Sequence, residues 1–183
     1  MKVENTALPG VLKILLDVHG DKRGFLVETY QQKRYRESGI PCSFVQDNLS
    51  RSVRNTLRGL HYQHPHSQAK LVQVLEGEVF DVVVDIRRSS PSFGQWMSAI
   101  LSGKNNHQLY VPEGFAHGFC VLSETALVHY RCSDFYSPEN EGGILWSDPD
   151  LKIAWPVKTP VISEKDSGYC CLKDLPLERL PAY

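Results

Sequence analysis

Hydrophobic positions along the chain recur with a period of two, in short runs cut by turn residues. In "AKLVQVLEG", Lys70, Val72 and Val74 share one face of an extended strand, because successive side chains point to opposite sides. "ALVHYRC" alternates likewise, with Val128, Tyr130 and Cys132 on one side and His129 and Arg131 on the other. "EVFDVVVDI" divides into a wholly apolar face, Phe80, Val82, Val84 and Ile86, and a mixed one, Val79, Asp81, Val83 and Asp85. Both faces of that strand are therefore predicted to be covered, one by a cavity and the other by a partner subunit or a terminal strand. Breakers such as Glu76-Gly77, Ser90-Pro91, Ser102-Gly103 and Pro112-Glu113-Gly114 recur about every ten to fifteen residues, the spacing of an all-β sandwich or barrel. "QQKRYRESG", Gln31 to Gly39, is the best predicted helix, short and closed by glycine. Beyond Asp148, Pro149, Pro156, Pro160, Pro176 and Pro181 predict an extended arm, from about residue 149, lying on a single domain that spans residues 1–183.

Composition narrows the partners. With 42% hydrophobic and 22% charged residues, the chain can bury a core of ordinary size. A formal net charge of −1 argues against a nucleic-acid polymer or an anionic membrane surface, although Arg51, Arg54 and Arg58 could hold a small anion. No apolar run approaches the roughly 18 to 20 residues that span a bilayer. Cys42, Cys120, Cys132, Cys170 and Cys171 are odd in number and form no CxxC pair, and no signal peptide precedes them. They read as free thiols in a reducing cytoplasm.

The chemistry concentrates in "RGLHYQHPHSQAKLV", Arg58 to Val72, where His61, His64 and His66 precede Lys70. Clustered imidazoles suggest a metal; a lysine among them suggests an acid–base centre. Two segments resemble the paired motifs of the cupin superfamily. The first is His64-Pro65-His66 with Lys70 and Gly77, where the superfamily places a metal-binding glutamate at the position of Lys70. The second is "PEGFAH", Pro112 to His117. Exchanging an anionic ligand for a cation shifts the pocket by two charge units, which speaks against a metal. His64 and His66 then read as exposed loop residues. The resemblance implies a jelly-roll barrel, the double-stranded β-helix, with short flanking helices and a site in its mouth.

Nine segments in order narrow this resemblance to the dTDP-4-dehydrorhamnose 3,5-epimerases. They are "GDKRGFLVETY", "FVQDNLSRS", "LRGLHYQ", "QAKLVQVLEGEVFDVVVDIR", "SPSFGQW", "QLYVPEGFAHGF", "YRCSDFYSPENEGGILWSDP", "IAWP" and "SEKD". The implied substrate is a dTDP-linked 4-keto-6-deoxyhexose, whose ketone acidifies the C–H bonds at C3 and C5. Inverting such centres needs a base, an acid on the opposite face and positive charge at O4, with no metal and no redox cofactor. By the resemblance His61 is the base, Asp166 orients it, Tyr130 is the acid, and Lys70 neutralises the enolate oxygen. Arg23, Gln46, Asn48 and Arg58 would surround the diphosphate, Glu28 would face the thymidine, and His117 and Glu141 would lie near the ligand. Tyr136 is a candidate for stacking on the base. Lys165 reads equally as a phosphate contact or a solvated lysine. In the family, the N-terminal strand matched by Arg23 and Glu28 crosses to a neighbouring subunit, which implies a homodimer with sites completed in trans. The chain departs from the family at His19, where relatives carry an aromatic residue, and at Arg131, where they commonly carry lysine.

Read without the resemblance, the same residues are plainer. His61 is then a hydrogen-bonded strand histidine, Tyr130 a core tyrosine, Lys70 a lysine paired with Asp81 or Asp85, and Asp166 a helix cap or loop residue. Three rival functions stand beside the double epimerase. One is an enzyme inverting only C3 or only C5, as in antibiotic-sugar pathways. Another is a metal-dependent oxygenase using His64, His66 and His117. The third is a silent sugar-nucleotide binder, which would need neither acid nor base.

Overall fold

The computed structural model describes residues 1–41 and 43–183, so the reading of Cys42 lies outside the described residues. Its strands, in chain order, are β1 (Lys2–Asn5), β2 (Leu12–Leu15), β3 (Val18–Asp21), β4 (Gly24–Val27), β5 (Gln46–Val53) and β6 (Leu57–Gln63). They continue with β7 (Lys70–Glu76), β8 (Glu78–Asp85), β9 (Trp96–Ser102), β10 (His107–Val111), β11 (Phe115–Val121), β12 (Thr125–Cys132) and β13 (Glu141–Gly143). Helix α1 (Gln32–Glu37) forms where predicted, with the Gln31 side chain accepting from Arg34 N–H as its cap. A single turn, α2 (Glu164–Ser167), is capped by Ser163. None of the described helices is long and apolar enough to cross a membrane.

The strands assemble into two facing antiparallel sheets, as the alternating pattern requires. One has the order β1-β2-β10-β7-β12-β5, the other β13-β6-β11-β8-β9, and β3-β4 stand apart as a hairpin. Between the sheets lies an apolar layer: Val72, Val74, Leu109, Val111 and Val128 from the first, and Val79, Val83, Leu101, Phe115 and Phe119 from the second. Tyr130 packs against this layer, on the interior face that strand parity assigns it.

The outer faces are covered as well. Leu71, Ile14 and Tyr110 of the first sheet pack under Tyr35 of α1 and Ile40. Val82, Val84 and Ile86 of β8 pack under Ile144, Leu151, Leu172 and Leu180. Those last residues belong to the segment after β13, which crosses the sheet with little regular structure. Asp148 anchors it by accepting from Leu172 N–H at 2.8 Å, and Trp96 Nε1 donates to the Leu151 carbonyl at 2.8 Å. At its end the Arg87 guanidinium lies over the rings of Phe115 and Tyr183, 4.3 and 4.8 Å from their centroids. The terminal segment is thus what covers the wholly apolar face of β8. Of the two coverings expected for that strand, a partner subunit or a terminal segment, it is the terminal segment that lies there.

Anchoring by buried leucines predicts a position-specific stability loss. Leu172→Ala should cost about 2–5 kcal/mol of unfolding free energy in urea titrations. Leu177→Ala, in the same arm but 66% exposed, should leave the midpoint where it is.

Candidate active site

A cavity of about 370 Å³ opens between the sheets at one end of the apolar layer, within the size range of small-molecule sites. The first sheet lines it with Gln46, Asn48 and Ser50 of β5, Lys70 of β7, and Tyr130 and Cys132 of β12; the second contributes Arg58 and His61 of β6, His117 and Phe119 of β11, and Glu141 of β13. Strict alternation would turn Arg58 and His61 to opposite faces, since they are three apart. The β6–β11 ladder instead shifts register between His117 and Phe119, pairing His117 with His61 and Phe119 with Arg58, and both side chains reach the cavity. Gly59 sits in this irregularity at φ +124°. A Cβ there would lie 2.6 Å from Gly118 Cα and 2.9 Å from the His117 carbonyl oxygen, so only glycine fits.

His61 is oriented from behind. Its Nε2 lies 2.8 Å from Asp166 Oδ1, while Asp166 Oδ2 accepts from Gly59 N–H at 3.1 Å. Burial by itself would raise the Asp166 carboxyl. The hydrogen bond and charge of His61, with the Gly59 N–H and Ser163, outweigh it and hold the pKa below the ordinary aspartate range. An ionised carboxylate only accepts, so the proton sits on His61 Nε2 and Nδ1 keeps its lone pair. Asp166 is neither the helix cap nor a loop residue, since it lies within α2 and Ser163 is the cap. Asp166 N–H donates to the capping Ser163 hydroxyl, but the carboxylate serves His61.

The opposite wall is cationic and phenolic. Burial is the largest influence on Lys70 and lowers its ammonium pKa, against the opposing pull of Cys132, Glu141 and Asp81. Burial likewise raises the Tyr130 pKa, which keeps that phenol protonated. The suggested pairing of Lys70 with Asp81 or Asp85 is not what forms. Asp81, fully buried, bonds His117 Nε2 at 2.9 and 3.0 Å through its two oxygens; Asp85 is held by Arg87 at 2.6 Å and by the hydroxyls of Ser90 and Ser92. Lys70 is left facing the cavity.

At the mouth, Tyr136 Oη donates to Glu141 Oε2 at 2.6 Å and Lys165 pairs with the same carboxylate. Burial pushes the Glu141 pKa up, but Lys165 and Tyr136 more than reverse it. Gln46 Oε1 accepts from Tyr136 N–H at 2.9 Å, tying the mouth to β5, and Arg58 Nε donates to Ser52 Oγ at 3.0 Å.

A model of the dTDP-4-dehydrorhamnose 3,5-epimerase family matches residues 5–174. The chain belongs to that family. A Pseudomonas aeruginosa dTDP-4-dehydrorhamnose 3,5-epimerase is 54% identical over 168 residues, covering 91% of this chain and 93% of the relative. A Legionella pneumophila epimerase, solved with dTDP-4-keto-L-rhamnose, superposes with a TM-score of 0.97 at 50% identity, covering 100% of this chain and 98% of that one. A 3'-monoepimerase from Streptomyces bikiniensis, solved with dTDP-quinovose, is 33% identical with a TM-score of 0.90 over 97% of this chain and 92% of that one. The jelly-roll reading of the fold holds across these epimerases.

Of the residues that the family resemblance singles out, most converge. His61, Lys70, Tyr130, His117, Gln46, Asn48, Arg58, Tyr136 and Glu141 line one cavity, with Asp166 directly behind His61 and Lys165 at the rim. Arg23 and Glu28 do not join them within this chain. Arg23 pairs with Asp21 inside the exposed β3–β4 hairpin, and Glu28 pairs with Arg34 at 2.8 Å. His19 lies exposed on the same hairpin. His64 is half-buried rather than exposed, His66 is exposed as expected, and neither lines the cavity. Among the described residues no three His, Cys, Asp or Glu side chains gather as a metal site. The cysteines Cys120, Cys132, Cys170 and Cys171 are free thiols. Ser50, Gln63 and Gln68 also line the cavity and were not anticipated. Period-two counting onward from Asn48 and His61 would have found the first two.

The Asp166–His61 pair predicts a specific acid response. Because the folded carboxyl pKa is depressed, its contribution to stability is present above the unfolded value of roughly 3.9 and lost as pH falls through the folded value. Unfolding free energies of the parent and Asp166→Asn proteins should therefore differ most near neutrality and converge in acid. A difference independent of pH would mean that the carboxylate is not ionised in this pairing.

Proposed function

We propose that this chain epimerises C3 and C5 of dTDP-4-dehydro-6-deoxy-D-glucose, giving dTDP-4-dehydro-L-rhamnose, without a cofactor. One observation carries the reading. His61, its Nε2 bonded to Asp166, lines the cavity from one sheet, and the lysine and phenol line it from the other. A flat sugar ring lying between the sheets meets a base on one face and an acid on the other.

The chemistry follows from these groups. His61 Nδ1 takes the proton from a carbon beside the C4 ketone, and the C–H electron pair moves through the new C–C double bond onto O4. The Lys70 ammonium stabilises that oxygen anion by charge and hydrogen bonding, the part a Lewis acid would otherwise play. Tyr130, held protonated by burial, delivers a proton to the opposite face, so the carbon inverts. Solvent then restores the phenol and takes the proton from the imidazolium. The same cycle serves the second carbon, because both flank one ketone. A lysine whose pKa is lowered is a better proton donor to an enolate than an ordinary one, which suits Lys70 to this place.

The nucleotide end is read as a dimeric site. Gln46, Asn48 and Arg58 are suited to the diphosphate, Arg58 by the planar fork of its guanidinium. The β3–β4 hairpin, with Phe25 at 63% and Leu26 at 74% exposure, is proposed to reach a partner's cavity with Arg23 and Glu28. The reading has the protein act in the cytoplasm, where its free thiols stay reduced. A single-centre epimerase remains the second reading, since the S. bikiniensis monoepimerase shares the fold at a TM-score of 0.90.

Deuterium uptake separates these readings. In D₂O, without added metal, the product should carry deuterium at both C3 and C5 by NMR; label at one carbon alone would reassign the chain to the single-centre class. His61→Asn should abolish washout, and Lys70→Met should slow it roughly 10²- to 10³-fold. For the exchanged hairpin, Arg23→Ala and His61→Asn chains are each expected to be impaired. Refolded together at equal amounts, they should recover about a quarter of the parent rate, because half the dimers are mixed and each holds one intact site. No recovery would place Arg23 in its own chain's site.

A further inference from the structure

We infer that Tyr169 is a positioning residue for the reaction: its ring, seated on Gly143, fixes the plane of the imidazole that Asp166 holds at a single atom. The inference rests on His61 being the base. One hydrogen bond, His61 Nε2 to Asp166 Oδ1 at 2.8 Å, fixes a point and leaves the ring free to turn about it. The second side-chain torsion of histidine is intrinsically broad, so packing has to supply what remains.

Tyr169 supplies it. Its ring meets the His61 ring edge-on, with centroids 6.0 Å apart and planes at 71°, a favoured arrangement for aromatic pairs. The tyrosine cannot retreat, because β13 backs it. A Cβ added to Gly143 would lie 2.2 Å from Tyr169 Cε2, 2.4 Å from Cζ and 2.5 Å from Cδ2. Gly143 is also the register partner of His61 in the β13–β6 ladder. The strand beside the base thus lacks a side chain just where the tyrosine ring fills the space.

Local structure explains how one short segment does both jobs. Asp166 lies in α2, and Tyr169 follows directly after the Gly168 that closes that helix. Gly168 closes the turn with N–H bonds to the carbonyls of Glu164 and Lys165, both at 3.1 Å. The turn and the residue just past its end therefore offer a carboxylate and an aromatic edge to one imidazole.

The hydroxyl is not what anchors the ring. It is buried beside Lys165 but outside hydrogen-bonding geometry, without a partner. Burial, with Glu141 nearby, pushes the phenol up to about 12, so it stays protonated, and unlike Tyr130 it does not line the cavity. The expected contribution is steric and belongs to the ring.

The test separates ring from hydroxyl and position from binding. Tyr169→Ala should lower kcat roughly 10- to 100-fold with KM unchanged, the scale of a misplaced catalytic group. Tyr169→Phe should keep the parent kcat. In ¹⁵N spectra the parent His61 should show one tautomer, protonated at Nε2, and Tyr169→Ala a mixture. Gly143→Ala, which displaces the ring from its other side, should reproduce the kcat loss, and it carries the test if Tyr169→Ala does not fold. Parent kcat and parent spectrum in Tyr169→Ala would overturn the inference, as would Tyr169→Phe being as slow as Tyr169→Ala. The two levels fail differently: an active His61→Asn enzyme removes the base assignment itself, whereas an inert His61→Asn beside an unimpaired Tyr169→Ala removes only the role of Tyr169.

Discussion

An ammonium group turned into the space between two apolar sheets is the constraint around which this molecule is organised. Lys70 alternates with Val72 and Val74, so the period that builds β7 also sends the lysine inward. Desolvation lowers its pKa, and no carboxylate is spent on pairing it, because Asp81 is taken by His117 and Asp85 by Arg87. A cation left in that state favours whatever negative charge enters the cavity. In this family that charge is proposed to form on O4 of the substrate.

The other site groups follow from the two-layer architecture. Facing sheets hold their inner side chains across a gap of about 10 Å, which leaves room for one sugar ring once the apolar layer stops. Base and acid then need only stand on different sheets to address opposite faces of that ring. His61 and Tyr130, the base and acid of the proposed reaction, do stand on different sheets.

The segment after β13 has two functions of different kinds. Its apolar residues Leu151, Leu172 and Leu180 cover the outer face of β8, while its one helical turn carries Asp166 to the back of His61. The same stretch of chain thereby serves the packing of the sheet and, in the proposed reaction, the placing of the base. Loosening the arm on the sheet would free the carboxylate that holds His61.

Much of this was legible in the residues. Strand parity by itself put Lys70 and Tyr130 on interior faces, the breakers set the strand lengths, and the glycine-closed run from Gln31 gave α1, because each depends only on local backbone geometry. Roles for His61 and Asp166 came from resemblance, since nothing local joins residues 105 positions apart in sequence. Other features were decided only by the tertiary structure. The covering of β8 by its own chain, the choice of His117 as partner for Asp81, and the register shift that brings Arg58 and His61 to one side all depend on which strands become neighbours. A period-two pattern specifies which side a residue faces but not what stands opposite it; that is settled only when the two sheets close on each other and the arm lies down across them.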